Sequence, residues 1–532
     1  MSNQRQAGQP GGRSDVVQIE VIETLPALMR LREHWNAVYD ADPDAQMFLS
    51  FAWLSGWLAQ IQLPWLVLAA RAGAAGEAPY VGFLPLRIQT KLAGGHIRNE
   101  LNMAGNFSAD YTGILCDPRH EHRVVPAFAR HLKQMNWARL NLENIRQPEQ
   151  RLRLLLAHFP KAGFRTGEVD RVGKVDGIDN NVCPFAPLPP DWNAYLDGLS
   201  ANTRQKIRRL LKRLDGGGDD RISHATAATI DRDLDTLLRF WEIKWKPRKG
   251  DLVHSLVRSN RAMLTRSFHA GLLFLPTLWR GERPLAALAT LIDTRKRALL
   301  FYMTGRDETF EDASPGLILH AYSIRHAIAG GFVEYDFLRG NETYKYSFGV
   351  KERRIRCVVV TTRDDLNLGG RIDRRTVAEV VRLATDLHRD GKLDEAERGY
   401  RQALAVAPDD ADALHRLGQL LSTRGQHVAA KRCFTRLAAL RPDTHKAWLC
   451  LARACEALGQ DDEAFDAYRE VIRLRPDLAE AFSGLAALLV RLGRIEAVNA
   501  ALAAFGKPRA ATPERAGYAE TAAEAPSTRL LQ

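Results

Sequence analysis

Residues 332–349, FVEYDFLRGNETYKYSFG, crowd a carboxylate, cations and phenols into one short stretch. Asp336 alternates with Tyr335 and Phe337 as on a strand, and Arg339, Gly340, Asn341, Glu342, Tyr344 and Lys345 follow in a tight turn. A carboxylate at a strand end, facing a tyrosine and a lysine, supplies a base, an acid and a charge clamp for proton-transfer chemistry. Asp336, Tyr344 and Lys345 are therefore catalytic candidates, and Arg339 and Lys345 candidate clamps for a phosphate or an acceptor. The same residues equally suit a structural ion pair of Asp336 with Arg339 or Lys345. Just upstream, GRDETFEDASPGL leads into a helix predicted from Pro315. Proline at a first helical turn forfeits only an N–H that would lack a partner anyway. Ser314 is the predicted N-cap, and Gly316 leaves backbone N–H groups uncovered. Such a helix start seats an anion through free N–H groups and the helix dipole.

These segments need a scaffold, and the surrounding pattern is mixed strand and helix. Strands are predicted over 17–22, 65–71, 80–90, 111–116 and 139–143, with helices over 25–39, 51–60 and 122–134. A second run follows the same order, with helices over 233–245 and 255–270, strands over 272–280, 284–293 and 297–304, a helix over 315–329 and a strand over 332–338. The hairpins ARAGAAGEAPYVGFLPL and LWRGERPLAALATLI resemble each other. The doubling suggests two related halves, with two unrelated α/β segments as the alternative. Between them, 199–214 reads LSANTRQKIRRLLKRL, a helix capped by Ser200 or Asn202. Leu199, Ile207, Leu210, Leu211 and Leu214 form its apolar stripe. Its six cations are either a solvated face or a basic wall for a phosphate-bearing ligand.

DASPG at 312–316 and YDFLRGNETYK at 335–345 resemble the CelD-type acetyltransferase family, associated in bacteria with cellulose biosynthesis, within the GNAT superfamily. The basic helix and the Phe51–Trp57 segment are similar to that family's pattern too, and the resemblance spans about residues 17–360. It implies a tandem GNAT-like fold and acyl transfer from acetyl-CoA or another acyl-CoA to an amine or hydroxyl acceptor. With direct acyl transfer as the chemistry, Asp336 is the first candidate for the base that takes the acceptor proton, and Tyr344 or Tyr302 for the group that protonates or stabilises the leaving thiolate. Asp312, Ser314, Pro315, Gly316 and Arg339 would hold the cofactor's phosphates. The usual Gln/Arg-x-x-Gly-x-Gly/Ala loop is absent, with EDASPG in its place. No covalent nucleophile motif such as G-x-S-x-G is present. Two other readings stand beside this one: FemAB-like aminoacyl transfer from charged tRNA, and a non-catalytic GNAT-like adaptor.

The C-terminal third is read by arithmetic. Pro408, Pro442 and Pro476 recur at one step, shared by Gly391, Gly425, Gly459 and Gly493, by Ala396, Ala430 and Ala464, and by Tyr400, Phe434 and Tyr468. That step, about 34 residues, and those residue types are the tetratricopeptide pattern. Each repeat pairs two helices that cannot bury their apolar stripes alone, so stacking completes the core and presents a surface for a protein partner. Repeats are predicted from Val377, Ala411, His445 and Ala479, the last without its alanine or proline. The fold class is thus α/β (α+β) tandem GNAT-like halves followed by an all-α tetratricopeptide solenoid. The organisation is a disordered 1–16, a first half over 17–168, a connection with the basic helix over 169–220, and a second half over 221–365. The repeats follow over 377–506, then a disordered tail over 507–532.

The chain has 532 residues and a formal net charge of +12. Residues 377–506 hold 18 Lys+Arg against 19 Asp+Glu, so the positive excess precedes the repeats. A basic enzyme region suits an anionic ligand. No basic motif interleaved with aromatics points to DNA. The six cysteines form no CxxC pair, so neither a disulfide framework nor a metal site is expected. No apolar run suits a signal peptide or a membrane span, which makes reduced cytoplasm the expected compartment. No P-loop or dinucleotide fingerprint occurs.

Overall fold

The computed structural model describes residues 17–73, 78–146, 148–170, 174–175, 177–215, 219–310, 315–494 and 496. The expected disordered ends, the second helix of the last repeat, Asp312 and Ser314 lie outside the described residues. The chain divides into two compact units, Met1–Leu383 and Ala384–Gln532.

The first unit is built on two large sheets of matching design. One runs Val17–Ile22, Trp65–Ala72, Tyr80–Ala93, His96–Met103, Arg139–Ile145, Arg356–Thr362, Phe164–Glu168. The other runs Asp220–His224, Pro276–Arg280, Arg283–Asp293, Ala298–Arg306, Glu334–Asp336, Val182–Pro187, Lys351–Arg354. In each, the fourth strand meets the fifth in a parallel pair while the other neighbours along these orders are antiparallel. The predicted doubling is thus present strand for strand.

The halves also exchange strands. Arg356–Thr362, assigned by sequence to the second half, sits in the first sheet between Arg139–Ile145 and Phe164–Glu168. Val182–Pro187, from the predicted connection, sits in the second sheet between Glu334–Asp336 and Lys351–Arg354. Their composition explains the placement. Cys357, Val358, Val359 and Val360 make a run buried on both faces, which suits an interior strand. Two smaller expectations change. The helix expected over 25–39 breaks at Leu31 into Leu25–Arg30 and Arg32–Ala41. The strand expected over 111–116 is confined to Leu115–Cys116, with Thr112 bridging to Ile145.

Helices cover both sheets. Glu121–Leu132 packs its apolar face (Val124, Val125, Phe128, Leu132) against the first sheet. Pro315–Ala329 and Ala201–Asp215 cover one face of the second, with Ile207, Leu210 and Leu211 buried. Ser200 caps the latter helix, its Oγ accepting the Thr203 N–H at 3.3 Å. Between the sheets lies a shared core, in which Trp35, Trp53, Phe83 and Tyr111 meet Leu237, Ala287 and Leu300.

The second unit is a run of antiparallel helices: Leu393–Val406, Ala411–Thr423, His427–Leu440, His445–Ala457, Asp461–Leu474 and Ala479–Arg491. The helix Val377–Arg389 leads into it. Each recurring glycine occupies the left-handed region that ends a first helix, with φ of 77°, 73°, 67° and 70° at Gly391, Gly425, Gly459 and Gly493. Gly418 lets two helices approach, since a Cβ there would lie 2.5 Å from the Phe434 ring. Ala396, Ala430 and Ala464 are fully buried, as the repeat pattern requires.

One ion pair anchors the seam of the first unit. Arg151, 1 % exposed, donates to Asp42 Oδ2 and to the Ile114 carbonyl, both at 2.8 Å. Asp42 Oδ2 also accepts the Cys116 N–H at 3.0 Å, while its backbone carbonyl accepts Lys296 Nζ from the other half at 2.8 Å. Removing one partner of a buried pair strands the other. Arg151→Met is expected to lower the unfolding free energy by about 3–5 kcal/mol, read by denaturant titration, with partial recovery when Asp42→Asn is added. A loss near zero would show that the backbone amides alone satisfy Asp42.

Candidate active site

The parallel pair of the second sheet is short. Ala298, Leu299 and Leu300 pair with Glu334, Tyr335 and Asp336, and there the ladder stops. Beyond it the chains part. Phe301–Thr304 form one wall and Phe337–Arg339 the other of a cleft of about 560 Å³. Trp241, Lys244, Trp245 and Arg248 from helix Ile230–Lys249 overhang it. Gly316 and Leu317 from the start of Pro315–Ala329 close one side, and a Cβ at Gly316 would meet nothing within 4 Å.

Asp336 stands at the point where they part. Its Oδ1 accepts the Leu338 N–H at 2.8 Å, turning the chain two residues on. Leu338 sits at φ 55°, a left-handed conformation that costs a non-glycine residue about 1–3 kcal/mol unless its surroundings impose it. The carboxylate is 0 % exposed, accepts the Tyr111 hydroxyl at 3.0 Å, and lies 3.8 Å from Arg353 and 4.0 Å from Arg146. It does not line the cleft. The alternative of a structural pair is thus realised, with Arg353 and Arg146 as partners in place of Arg339 or Lys345.

Lys345 is also committed. It is 1 % exposed, and its Nζ donates to the carbonyls of Phe337, Arg339 and Gly340 at 3.0, 2.8 and 2.9 Å beside Glu342. An ammonium has three N–H donors, so Lys345 ties the turn together and offers none to a ligand. Tyr302, Tyr344, Arg339 and Gly316 do line the cleft. Pro315 is buried at the first position of its helix. Tyr302 donates to the Ser108 carbonyl at 3.2 Å. Burial pushes the hydroxyls of both Tyr302 and Tyr344 above the usual phenol range, so both keep their protons. Arg339 Nε donates to the Asn180 carbonyl at 3.1 Å, while its buried Nη2 has no partner among the described residues. A buried donor without a partner costs free energy, and an anionic or carbonyl ligand would relieve it. Exposed Lys244 and Arg248 add positive charge at the mouth. The basic helix Ala201–Asp215 contributes no residue to this cleft.

Two residues escaped the sequence reading. Asp110, in the loop after His96–Met103 of the first half, reaches into the cleft. Burial raises its pKa, with Asp336 adding to the effect and Arg339 and Lys345 opposing it. The Arg339 N–H approaches its Oδ2 at 3.5 Å. A carboxyl group shifted toward neutrality suits a general base. His320, 1 % exposed, places Nδ1 3.0 Å from the Tyr335 hydroxyl, and its ring packs against Phe301 and Phe337. Burial first, then Lys345, pushes its pKa down to about 3.

Since the fold refuses that proton while the unfolded chain takes it near pH 6.5, the unfolded state binds more protons between about pH 3 and 6.5. Stability must therefore fall as pH drops through that window. The expected loss from His320 alone is about 2 kcal/mol at pH 5. Denaturant titrations at pH 7.5 and 5.0 should show a shallower pH dependence in His320→Gln; equal dependence would mean that the folded protein protonates His320.

Known proteins can now be set beside this geometry. The family model described as an acetyltransferase (GNAT) domain matches residues 201–346, which hold most of the cleft but not Asp110. The tetratricopeptide repeat model matches 381–430 and 415–479. No curated protein matches the chain. Among solved structures, a crystal structure of MamA protein is 21 % identical, over 24 % of this chain and 71 % of that one, with a TM-score of 0.24. A MamA AMB-1 structure is 22 % identical over 25 % and 72 %, with a TM-score of 0.24. A MamA from Desulfovibrio magneticus RS-1 is 18 % identical over 24 % and 73 %, with a TM-score of 0.23. Among the described residues, no group of three or more His, Cys, Asp or Glu is placed to hold a metal, and no helix is long and apolar enough to cross a membrane. The chain carries a GNAT-type acetyltransferase domain over residues 201–346, followed by C-terminal tetratricopeptide repeats.

Proposed function

We propose that the first unit transfers an acyl group from an acyl-CoA to an amine or hydroxyl acceptor in the cleft where the parallel strands part. The observation that carries this is the meeting of a raised carboxyl, Asp110, two protonated phenols and an unpartnered Arg339 Nη2 in one space. Asp110 replaces Asp336 as the proposed base. It takes the proton from the acceptor N–H or O–H as the freed lone pair attacks the thioester carbonyl. The new C–N or C–O bond forms, the C–S bond breaks, and Tyr302 or Tyr344 protonates the departing thiolate. Solvent carries the proton from Asp110 back to the tyrosine. Arg339 Nη2 is the proposed donor to the thioester oxygen or a nearby phosphate. Gly316 leaves the start of its helix open for the pantetheine arm. The resemblance at 335–345 is what supports an envelope polysaccharide, such as cellulose, as the setting. The repeats would then bring the enzyme to a protein partner, in the cytoplasm.

A second reading, aminoacyl transfer from charged tRNA, draws on Arg208, Arg209 and Lys212, which stand exposed on Ala201–Asp215. Competition of acetyl-CoA against tRNA for the purified chain separates the two.

Asp110→Asn is expected to slow thiol release from acetyl-CoA, assayed with a panel of amine and hydroxyl acceptors, by about 10²–10⁴-fold. Acetyl-CoA affinity by calorimetry should stay within about threefold. Turnover that survives the substitution would remove Asp110 from the mechanism, and failure of the wild-type chain to bind any acyl-CoA would leave the adaptor reading.

A further inference from the structure

A second cavity lies on the seam between the halves, on the paired side of the same ladder. It measures about 140 Å³ and is lined by Gln46, Met47 and Arg146 of the first half and by Asp293, Lys296, Leu300, Glu334 and Asp336 of the second. Its walls carry charge from both halves. Gln46 is 3 % exposed; its Oε1 accepts the Phe48 N–H at 2.7 Å, yet its buried Nε2 has no partner among the described residues. Arg146 reaches an acid only at 4.0 Å, at Asp336, and otherwise lies over the Tyr111 ring at 5.2 Å. Two donor groups therefore enter the cavity with hydrogen-bonding capacity left over. The other wall carries the carboxylates of Glu334, Asp293 and Asp336, and the Lys296 ammonium beside them is held by the Asp42 carbonyl at 2.8 Å. Glu334 pairs with Arg353 at 2.6 Å, and Asp293 takes the Lys296 N–H at 3.0 Å and the Tyr39 hydroxyl.

We propose that this cavity binds a small free α-amino acid, its carboxylate on Arg146 and Gln46 Nε2 and its ammonium on Glu334 and Asp293. Two considerations select that class. A guanidinium and an amide N–H₂ together present the donors that a carboxylate accepts, while the facing carboxylates suit a cation. A ligand with only one charge would leave one wall unanswered. Size then narrows the choice. A cavity of about 140 Å³ is smaller than the roughly 300–1,000 Å³ pockets that take drug-sized molecules, which favours a ligand as small as glycine or alanine. Because the walls come from both halves, such a ligand would pin them together beside the ladder whose end opens the cleft.

The site is tested on the full chain by calorimetry with glycine and L-alanine, against acetate, methylammonium and L-phenylalanine. Expected is saturable binding of glycine or alanine at one per chain, at least about tenfold tighter than any of the three controls. Gln46→Glu keeps the acceptor for Phe48 and replaces the donor with a repelling oxygen. It should weaken amino-acid binding at least about tenfold while acetyl-CoA affinity stays unchanged. Arg146→Met should do the same to amino-acid binding. Absence of glycine and alanine binding in the wild type, acetate binding as tightly as glycine, or Gln46→Glu binding normally would each overturn the proposal. The acetyl-CoA titration reports on the acyl-transfer reading separately, so either idea can fail alone.

Discussion

The Asp336 carboxylate is fully buried, at the last paired residue of a three-residue parallel ladder. A buried carboxylate is tolerable only when its oxygens are occupied. Here they are occupied from both halves, by the Tyr111 hydroxyl of the first and the Leu338 amide of the second, with Arg146 and Arg353 nearby. The Leu338 contact holds a bulky residue left-handed where the chain parts from Ala298–Arg306, while the Phe337 and Gly340 N–H groups stay on the Pro184 and Val182 carbonyls. The residue that looks most like a catalyst in the sequence is held by partners from both halves at the head of the cleft.

The distance between that expectation and the geometry has a physical source. Alternation along residues 335–337 shows which residues share a face, but not whether that face meets a cleft or a packed neighbour. The neighbour here is Tyr111, more than two hundred residues away. Asp110 was illegible for the same reason, since it belongs to an unremarkable NFSADY loop whose importance depends on tertiary contact. His320 lies on an apolar helix, where a lone histidine reads as core, and its pairing with Tyr335 needs the fold to appear. Tyr302, Tyr344, Arg339 and Gly316 were legible because the local pattern strand, loop, helix, strand already placed them around one opening. The repeats were the most legible part. Their core is made between neighbours at a fixed step, so the step is written into residue types at Gly391, Gly425, Gly459 and Gly493. The exchanged strands left no comparable mark: a run such as Cys357–Val360 announces a buried strand without saying whose sheet it enters.

Burial is used in two opposite ways around the cleft. At Lys345 it is answered in full, three carbonyls for three N–H groups, and the result is a rigid turn. At Arg339 it is answered in part, and the result is a donor still available. The same contrast separates Asp336, whose oxygens are engaged, from Asp110, whose pKa burial raises. Exposure alone ranks these groups poorly. The balance of donors and acceptors around each one says which are structural and which have capacity left for a ligand.

The traded strands carry a consequence for how the chain comes into being. The first sheet lacks an interior strand until residue 362 has left the ribosome, although all of its other strands precede residue 170. Contacts of such sequence separation form slowly, and an unfilled gap in a sheet is an adhesive edge while it lasts. The nascent first half must wait, incomplete, through the synthesis of nearly two hundred further residues. A chaperone that covers the gap between Arg139–Ile145 and Phe164–Glu168 would therefore matter most before the repeats have been made.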